Sequence, residues 1–141
     1  MTEEQVLIVQ ESYGRLVTSR CNVSDCFFER LFKIVPELKG VFGEEFRKIG
    51  NPFFDCLGPV ISDLGKPEKL TPATQNLAKQ HEKMGVRQKD YPYIGEALIW
   101  TLKRCIDEDM SEDVEAAWAD AYLLIASSII NGSTLALETS A

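Results

Sequence analysis

His81 is the side chain with the clearest capacity for chemistry, because it is the only histidine in the 141 residues of this sequence. Its imidazole titrates near physiological pH, and a ring nitrogen of the neutral form can bind a transition metal. Leu77 stands one helical turn earlier on the same helix face, and Gly85 follows as a helix stop. A single histidine is most often a surface or core residue, so this spacing alone does not identify a metal ligand.

The four cysteines offer thiols as further candidate ligands. Cys21, Cys26, Cys56 and Cys105 have a spacing that fits no zinc-binding pattern, and the one histidine adds little to such a site. We therefore predict reduced thiols that pack in the interior, as is usual for a cytoplasmic protein.

The charge balance argues against polyanionic partners. The sequence has 15 Lys and Arg against 22 Asp and Glu, a formal net charge of −7. Without a basic stripe, we expect no binding to nucleic acid or to an anionic membrane surface. No apolar run is long enough to span a membrane, and the acidic start Met1 to Gln5 lacks the basic region of a signal peptide. We predict a cytoplasmic protein.

The elements that position these residues are predicted to be helices. Apolar residues recur at helical spacing, and the sequence contains no alternating run bounded by hairpin turns. Thr2 can cap the first helix, and Asn22 or Ser24 can start the second, which Pro36 ends or extends into a short turn. The pattern predicts an all-α chain of about seven or eight helices.

Proline and glycine mark the later boundaries. Residues 66–69 are predicted to be a connector, and Thr71-Pro72 is predicted to open the helix that carries His81. Asn131-Gly132 is a natural stop for the last helix. The sequence thus predicts one domain over residues 1–132 and a frayed tail over residues 133–141.

Three segments, taken in order, resemble the globin family. They match the second helix with the following corner, the segment of the proximal histidine, and the two C-terminal helices, in the style of flavohaemoglobin haem domains and neuroglobins. The resemblance covers about residues 3–132 and implies a globin fold around a haem pocket. The segments are Phe27 to Phe32 with Pro36 to Phe42, Leu77 to Val86, and Tyr91 to Ile99 with Glu115 to Tyr122.

The resemblance implies that His81 is the proximal ligand of the iron in haem b. Haem is a flat apolar disc with two propionates, so it needs apolar walls and polar groups only at its edge. Arg47 and Lys48 are candidates for contact with the propionates. The candidate wall residues are Phe28, Phe42, Phe53, Val86, Tyr93 and Leu98.

The proximal side departs from the flavohaemoglobin pattern at one position. Tyr91 follows His81 by ten residues, and a tyrosine at that spacing in those domains belongs to a hydrogen-bond set around the imidazole. The glutamate that completes the set aligns with Ser133 here. The resemblance therefore implies an imidazole that donates electrons less strongly than in those enzymes.

The distal side departs further, because a distal histidine is impossible in this chain. Counting back from His81 places Ile49 over the sixth iron position, whereas a helix that starts at Pro52 places Leu57 there. We prefer the first alternative, although it puts Pro52 inside a helix at a cost of about 3 kcal/mol unless the helix kinks. Phe28 matches the second-helix position, so both alternatives predict an apolar distal pocket.

These features predict a haem globin that reversibly binds O₂, CO or NO at a pentacoordinate iron, for storage, transport or sensing. The alternative is a redox enzyme that acts on NO or peroxide with a separate reductase as partner. The missing acid at Ser133 and the lack of a distal acid–base residue argue against the enzyme. A haem-free globin-fold interaction module would have no reason to keep His81 at this spacing. We expect a monomer or a small homo-oligomer.

Overall fold

The computed structural model of the protein describes residues 1–41, 52–107 and 110–140. Within these ranges, side chains are described except at residues 52–56, 67, 71, 80, 83–84 and 131–140. The described ranges contain seven α-helices and no strand, which confirms the predicted all-α class. The helices are α1 (Glu3–Thr18), α2 (Val23–Ile34), α3 (Leu38–Val41), α4 (Pro52–Ser62), α5 (Pro67–Met84), α6 (Tyr91–Cys105) and α7 (Glu112–Ser140), with a 3₁₀ turn at Gln88–Asp90.

Side-chain caps fix the first two helix starts. The Thr2 hydroxyl accepts a hydrogen bond from the Gln5 N–H at 3.1 Å, and the Gln5 side chain accepts one from the Thr2 N–H at 3.0 Å. This reciprocal pair satisfies two backbone donors that a helix start leaves open. Asn22 caps α2 by accepting from the Asp25 N–H at 3.3 Å, which selects Asn22 over Ser24 as its start.

The helix that carries His81 begins earlier than the sequence predicted. Residues 66–69 do not form a connector, because Pro67 opens α5 and the Leu70 N–H bonds to the Lys66 carbonyl at 2.9 Å. Proline at the first helical position loses no intrahelical bond, so Pro67 is a favourable start. Pro72 consequently lies inside α5.

The last helix also differs from its predicted boundary. It runs from Glu112 to Ser140 and passes through Asn131 and Gly132, where the sequence predicted a stop. Glycine inside a helix costs only about 1 kcal/mol relative to alanine, and Leu-Ala-Leu-Glu follows as a run of helix formers. The division into a domain over residues 1–132 and a tail over residues 133–141 stays a prediction.

Helix pairs enclose the core. α2 packs along α6, α5 packs along α7, and α1 packs against α7 and α4. One buried polar bond joins α1 to α7: the indole N–H of Trp118 donates to the Ser12 hydroxyl at 2.7 Å, and that hydroxyl donates to the Ile8 carbonyl at 2.7 Å. Both polar groups are therefore satisfied in the interior. In the described part of the chain, no helix combines the length and the apolar character that crossing a membrane requires.

Candidate functional site

His81 lies in the last turn of α5, and the end of that helix fixes the backbone around it. Gly85 follows with φ +95°, a left-handed conformation that glycine adopts without the strain of a Cβ atom. The Gly85 N–H bonds to the Glu82 carbonyl at 3.1 Å, and the Val86 N–H bonds to the His81 carbonyl at 2.9 Å. The stop predicted at Gly85 is thus the real end of the helix.

The environment of His81 keeps its imidazole neutral. Burial lowers the pKa of His81 from 6.5 to about 4, because a partly desolvated site penalises the charged ring. At neutral pH one ring nitrogen therefore carries a lone pair. Neutral imidazole is the form that ligates metals.

The Tyr91 side chain contacts the imidazole of His81. Its hydroxyl oxygen lies 3.5 Å from Nδ1 of His81, and the two ring centroids are 6.0 Å apart. Burial, reinforced by the carboxylates of Asp90 and Glu82, raises the pKa of Tyr91 to about 12, so the phenol keeps its proton. When Nδ1 carries the imidazole proton, it faces the phenol oxygen and the lone pair lies on Nε2. The structure brings together His81 and Tyr91, the two residues for which the resemblance implied a proximal role.

The backbone of Tyr91 is positioned by Tyr122, a residue that was not among the predicted site residues. The Tyr122 hydroxyl on α7 donates a hydrogen bond to the Tyr91 backbone carbonyl. The Tyr122 ring lies directly against Gly95, where an added Cβ would overlap Cε1 of the ring. Gly95 therefore permits the close approach of α7 to the start of α6. A glycine inside a strongly periodic helix was the sequence signal for this contact.

A hydrogen bond to the Asp90 side chain stabilises the turn between α5 and α6. That side chain is 5% exposed and accepts a hydrogen bond from the Arg87 N–H at 2.9 Å. The Asp90 N–H in turn bonds to the Arg87 carbonyl at 2.9 Å. This reciprocal bond closes the 3₁₀ turn and sets where Tyr91 enters α6. Sequence reasoning missed Asp90, which stands beside the tyrosine that it positions.

Several predicted wall residues are buried apolar side chains on the expected helices. Phe28 on α2, Val86 after α5 and Leu98 on α6 belong to one hydrophobic core cluster, and Leu57 on α4 is partly buried against it. Tyr93 is 45% exposed, so its place in a haem wall stays a prediction. Four further candidates lie outside the described residues, and the side chain of a fifth is not described. These are Phe42, Arg47, Lys48 and Ile49, and then Phe53.

The two alternatives for the distal residue, Ile49 and Leu57, differ in whether Pro52 lies inside a helix or at its start. α4 begins at Pro52, so this proline is the first residue of a helix, as the Leu57 alternative assumed. Ile61, one turn after Leu57, is 2% exposed. Because Ile49 lies outside the described residues, the choice between Ile49 and Leu57 stays open. Phe28, Leu57 and Ile61 all lack a hydrogen-bond donor in their side chains.

The described residues fit haem as a ligand. A neutral imidazole can bind the iron, and the apolar side chains that surround its helix suit a flat apolar disc.

Comparison with known proteins agrees with this chemistry. The sequence model of the Globin family matches residues 25–129. The chain is 25% identical over 134 residues to a flavohemoprotein of Vibrio cholerae, covering 93% of this chain and 34% of that protein. It is 29% identical over 125 residues to a flavohemoprotein of Chromobacterium violaceum, covering 86% of this chain and 30% of that protein. The chain thus spans about a third of the length of these relatives.

Solved structures show the same fold. A bacterial globin from Campylobacter jejuni superposes with a TM-score of 0.83 at 22% identity, over 97% of this chain and 99% of the other. A hexacoordinated haem protein from an anhydrobiotic tardigrade gives a TM-score of 0.82 at 14% identity, over 94% of each chain. Together with the family match over residues 25–129, these likenesses confirm the predicted fold, and the chain belongs to the globin family of haem-binding proteins.

Proposed function

We propose that this globin holds haem b through His81 and reversibly binds O₂ or another diatomic gas. The observation that carries the proposal is the neutral, partly buried imidazole with a phenol oxygen 3.5 Å from its Nδ1. This arrangement leaves Nε2 as the nitrogen for the iron. The fold and the flavohemoprotein relatives support the same cofactor.

When bound, the haem supplies an iron atom whose open position takes the gas. The chain's own residues then have three tasks. His81 anchors the group, Tyr91 limits the rotation of the imidazole about its side-chain bonds, and the apolar wall that includes Phe28 and Leu98 excludes water. The sequence holds no second histidine that could fill the sixth position, so we propose a pentacoordinate iron.

The apolar distal side sets the expected ligand preference. Bound O₂ carries partial negative charge and gains from a hydrogen-bond donor, whereas CO gains little. A hydrogen bond to a charged group contributes about 1.5–3 kcal/mol, or roughly ten- to a hundredfold in affinity. Phe28, Leu57 and Ile61 offer no such donor, so we propose fast release of O₂ and a relative preference for CO.

Absorption spectra of the ferric, ferrous and CO-bound protein test this proposal. The wild type should retain haem and show a five-coordinate ferrous form. His81→Gly should lose haem on gel filtration, and added imidazole should restore retention because it can occupy the space of the missing side chain. A His81→Gly variant that keeps the wild-type ferrous spectrum without imidazole would contradict the assignment.

One observation favours a second function, a redox reaction with NO or peroxide that uses a separate reductase. The contact between Tyr91 and Nδ1 of His81 can raise the electron density of the imidazole, which assists such chemistry. Ser133 in place of an acid opposes it. Steady-state turnover of NO or peroxide, measured with an NADH-dependent reductase and compared between wild type and Tyr91→Phe, separates the two functions. Turnover that is no faster than with free haem would favour gas binding alone.

A further inference from the structure

Three cysteine thiols meet at the end of the molecule away from Tyr91. Cys21 lies between α1 and α2, Cys26 lies in the first turn of α2, and Cys105 is the last residue of α6. Their Sγ atoms all lie within 4.8 Å of one another, and those of Cys21 and Cys26 are 3.4 Å apart. The packing of α2 along α6 creates this cluster, which residue spacing alone did not predict.

The cluster is separate from the candidate haem site. Tyr91 and Cys105 are the first and last residues of α6, a helix of 15 residues. A rise of about 1.5 Å per residue places them roughly 21 Å apart along the helix axis. The thiols therefore form an independent centre of chemistry that the gas-binding proposal does not use.

The distances suit a single metal ion bound by all three sulfurs. With a metal–sulfur bond of about 2.3 Å, sulfurs that surround one ion are about 3.8 Å apart in tetrahedral geometry and about 4.0 Å apart in trigonal geometry. The Cys21 and Cys26 sulfurs are 3.4 Å apart, and every pair lies within 4.8 Å, so the three sulfurs are close enough to share one ion. Small side-chain rotations would bring the three sulfurs to equal distances.

We propose that Cys21, Cys26 and Cys105 bind one Cu(I) ion as three thiolates. Thiolates are soft ligands that select Cu(I), zinc or iron–sulfur clusters. Structural zinc takes four protein ligands, and iron–sulfur clusters likewise take four cysteines. Among the described His, Cys, Asp and Glu residues, no fourth ligand joins this group. Cu(I) is the ion of that set that is satisfied by three sulfurs in a plane.

The charges and protons balance without any redox step. Binding forms three Cu–S bonds, and three thiol protons leave to solvent, so copper remains Cu(I) throughout. Three thiolates with one Cu(I) carry a net charge of −2. Arg104, which directly precedes Cys105 on α6, is a nearby cation that offsets part of that charge. The guanidinium of this exposed arginine lies over the Trp100 ring, 5.6 Å from its centroid.

Metal analysis of the haem-loaded protein tests the site. The protein is loaded anaerobically with Cu(I) in excess reduced glutathione, gel-filtered, and measured for copper per haem iron by elemental mass spectrometry. We expect one copper per chain, with three sulfurs at about 2.3 Å in copper X-ray absorption. Cys21→Ser, Cys26→Ser and Cys105→Ser should each lose at least tenfold in retained copper. Cys56→Ser, which removes the one cysteine that the proposed site does not use, should retain one equivalent.

A second measurement does not depend on whether the variants fold. Wild-type protein with and without Cu(I) is treated with N-ethylmaleimide and analysed by peptide mass spectrometry. Copper should protect Cys21, Cys26 and Cys105 together and leave the labelling of Cys56 unchanged. Equal labelling with and without copper would overturn the proposal, as would a Cys21–Cys26 disulfide in the protein purified under reducing conditions. Retention of zinc against glutathione in place of copper would also overturn the choice of Cu(I).

Discussion

The Tyr91 hydroxyl oxygen lies 3.5 Å from Nδ1 of His81, so the first residue of α6 contacts the last turn of α5. This distance is at the outer limit of a hydrogen bond, and the bond is expected to be weak. The backbone of Tyr91 is nonetheless fixed in place. The Tyr122 hydroxyl donates a hydrogen bond to the Tyr91 carbonyl, and the Asp90 side chain accepts one from the Arg87 N–H in the preceding turn. The contact therefore depends on backbone placement more than on its own strength.

Tyr91→Phe should weaken the anchoring of haem by a small amount. Loss of a weak hydrogen bond costs about 0.5 kcal/mol, or roughly a twofold faster haem dissociation. The iron–histidine stretching frequency of the ferrous protein should fall, because Nδ1 loses a polar partner. Resonance Raman spectra and transfer of haem to an acceptor protein measure both effects.

Tyr93→Phe is the matched control, since Tyr93 lies on the same helix but is 45% exposed. It should leave the stretching frequency unchanged. If Tyr91→Phe also leaves it unchanged, the 3.5 Å contact is not a hydrogen bond in the haem-loaded protein.

The haem-free chain should lose stability in acid because of His81. Its pKa is lowered from 6.5 to about 4 in the folded chain, so between these values the unfolded chain binds a proton that the folded chain does not. Above pH 6.5 His81 is neutral in both states, so its protonation does not lower the free energy of unfolding. As the pH falls from 6.5 to about 4, the free energy of unfolding decreases by at most about 3 kcal/mol because of this residue. Urea unfolding at pH 7.0 and pH 4.5 measures the difference.

His81→Gln isolates this contribution, because carboxylates elsewhere also titrate in acid. The variant should lose less stability between the two pH values than wild type, by roughly 2–3 kcal/mol. An identical acid loss in both chains would show that His81 is not desolvated in the folded state.

Gly95→Ala should be destabilising although alanine favours helices. An added Cβ would overlap the Tyr122 ring, so the ring must move, and this disturbs the hydrogen bond from the Tyr122 hydroxyl to the Tyr91 carbonyl. Overpacking of this kind costs about 1–3 kcal/mol. Gly14→Ala is the control, since a Cβ there meets no heavy atom within 4 Å and should stabilise α1 by about 0.5–1 kcal/mol.

Thermal unfolding of the two variants compares them directly. Opposite shifts in melting temperature are expected, and Gly95→Ala should also alter the ferrous spectrum through Tyr91. Two variants that shift in the same direction would mean that Tyr122 can move at no cost.

The sequence predicted most helices because their boundaries depend on local signals, whereas the contact of Tyr91 with His81 was implied by the resemblance to globins. Caps at Thr2 and Asn22 and the stop at Gly85 lie within a few residues of the boundaries that they set. The start at Pro67 was missed, because Pro67 and Pro72 are both acceptable first residues and only tertiary packing selects between them. The hydrogen bond from Tyr122 joins residues that are 31 positions apart, and the thiol cluster joins Cys105 to cysteines at least 79 positions earlier. The periodicity of a single helix cannot show such contacts.

Phe28→Tyr should slow O₂ dissociation if the distal pocket is apolar. Phe28 is 3% exposed on α2, and the substitution adds one donor of about 1.4 kcal/mol, equal to roughly tenfold in rate. Phe32→Tyr is the matched control, because Phe32 stacks on Phe28 at 5.9 Å one turn later and should leave dissociation unchanged. Stopped-flow displacement of O₂ by CO measures all three proteins.

If the wild type already releases O₂ slowly and Phe28→Tyr changes nothing, a donor other than these side chains reaches the ligand. Tyr13→Phe then tests a hydroxyl of α1 that would lie 3.3 Å from a Cβ at Gly58 on α4. Faster release in that variant would replace the apolar pocket by a tyrosine-supported one.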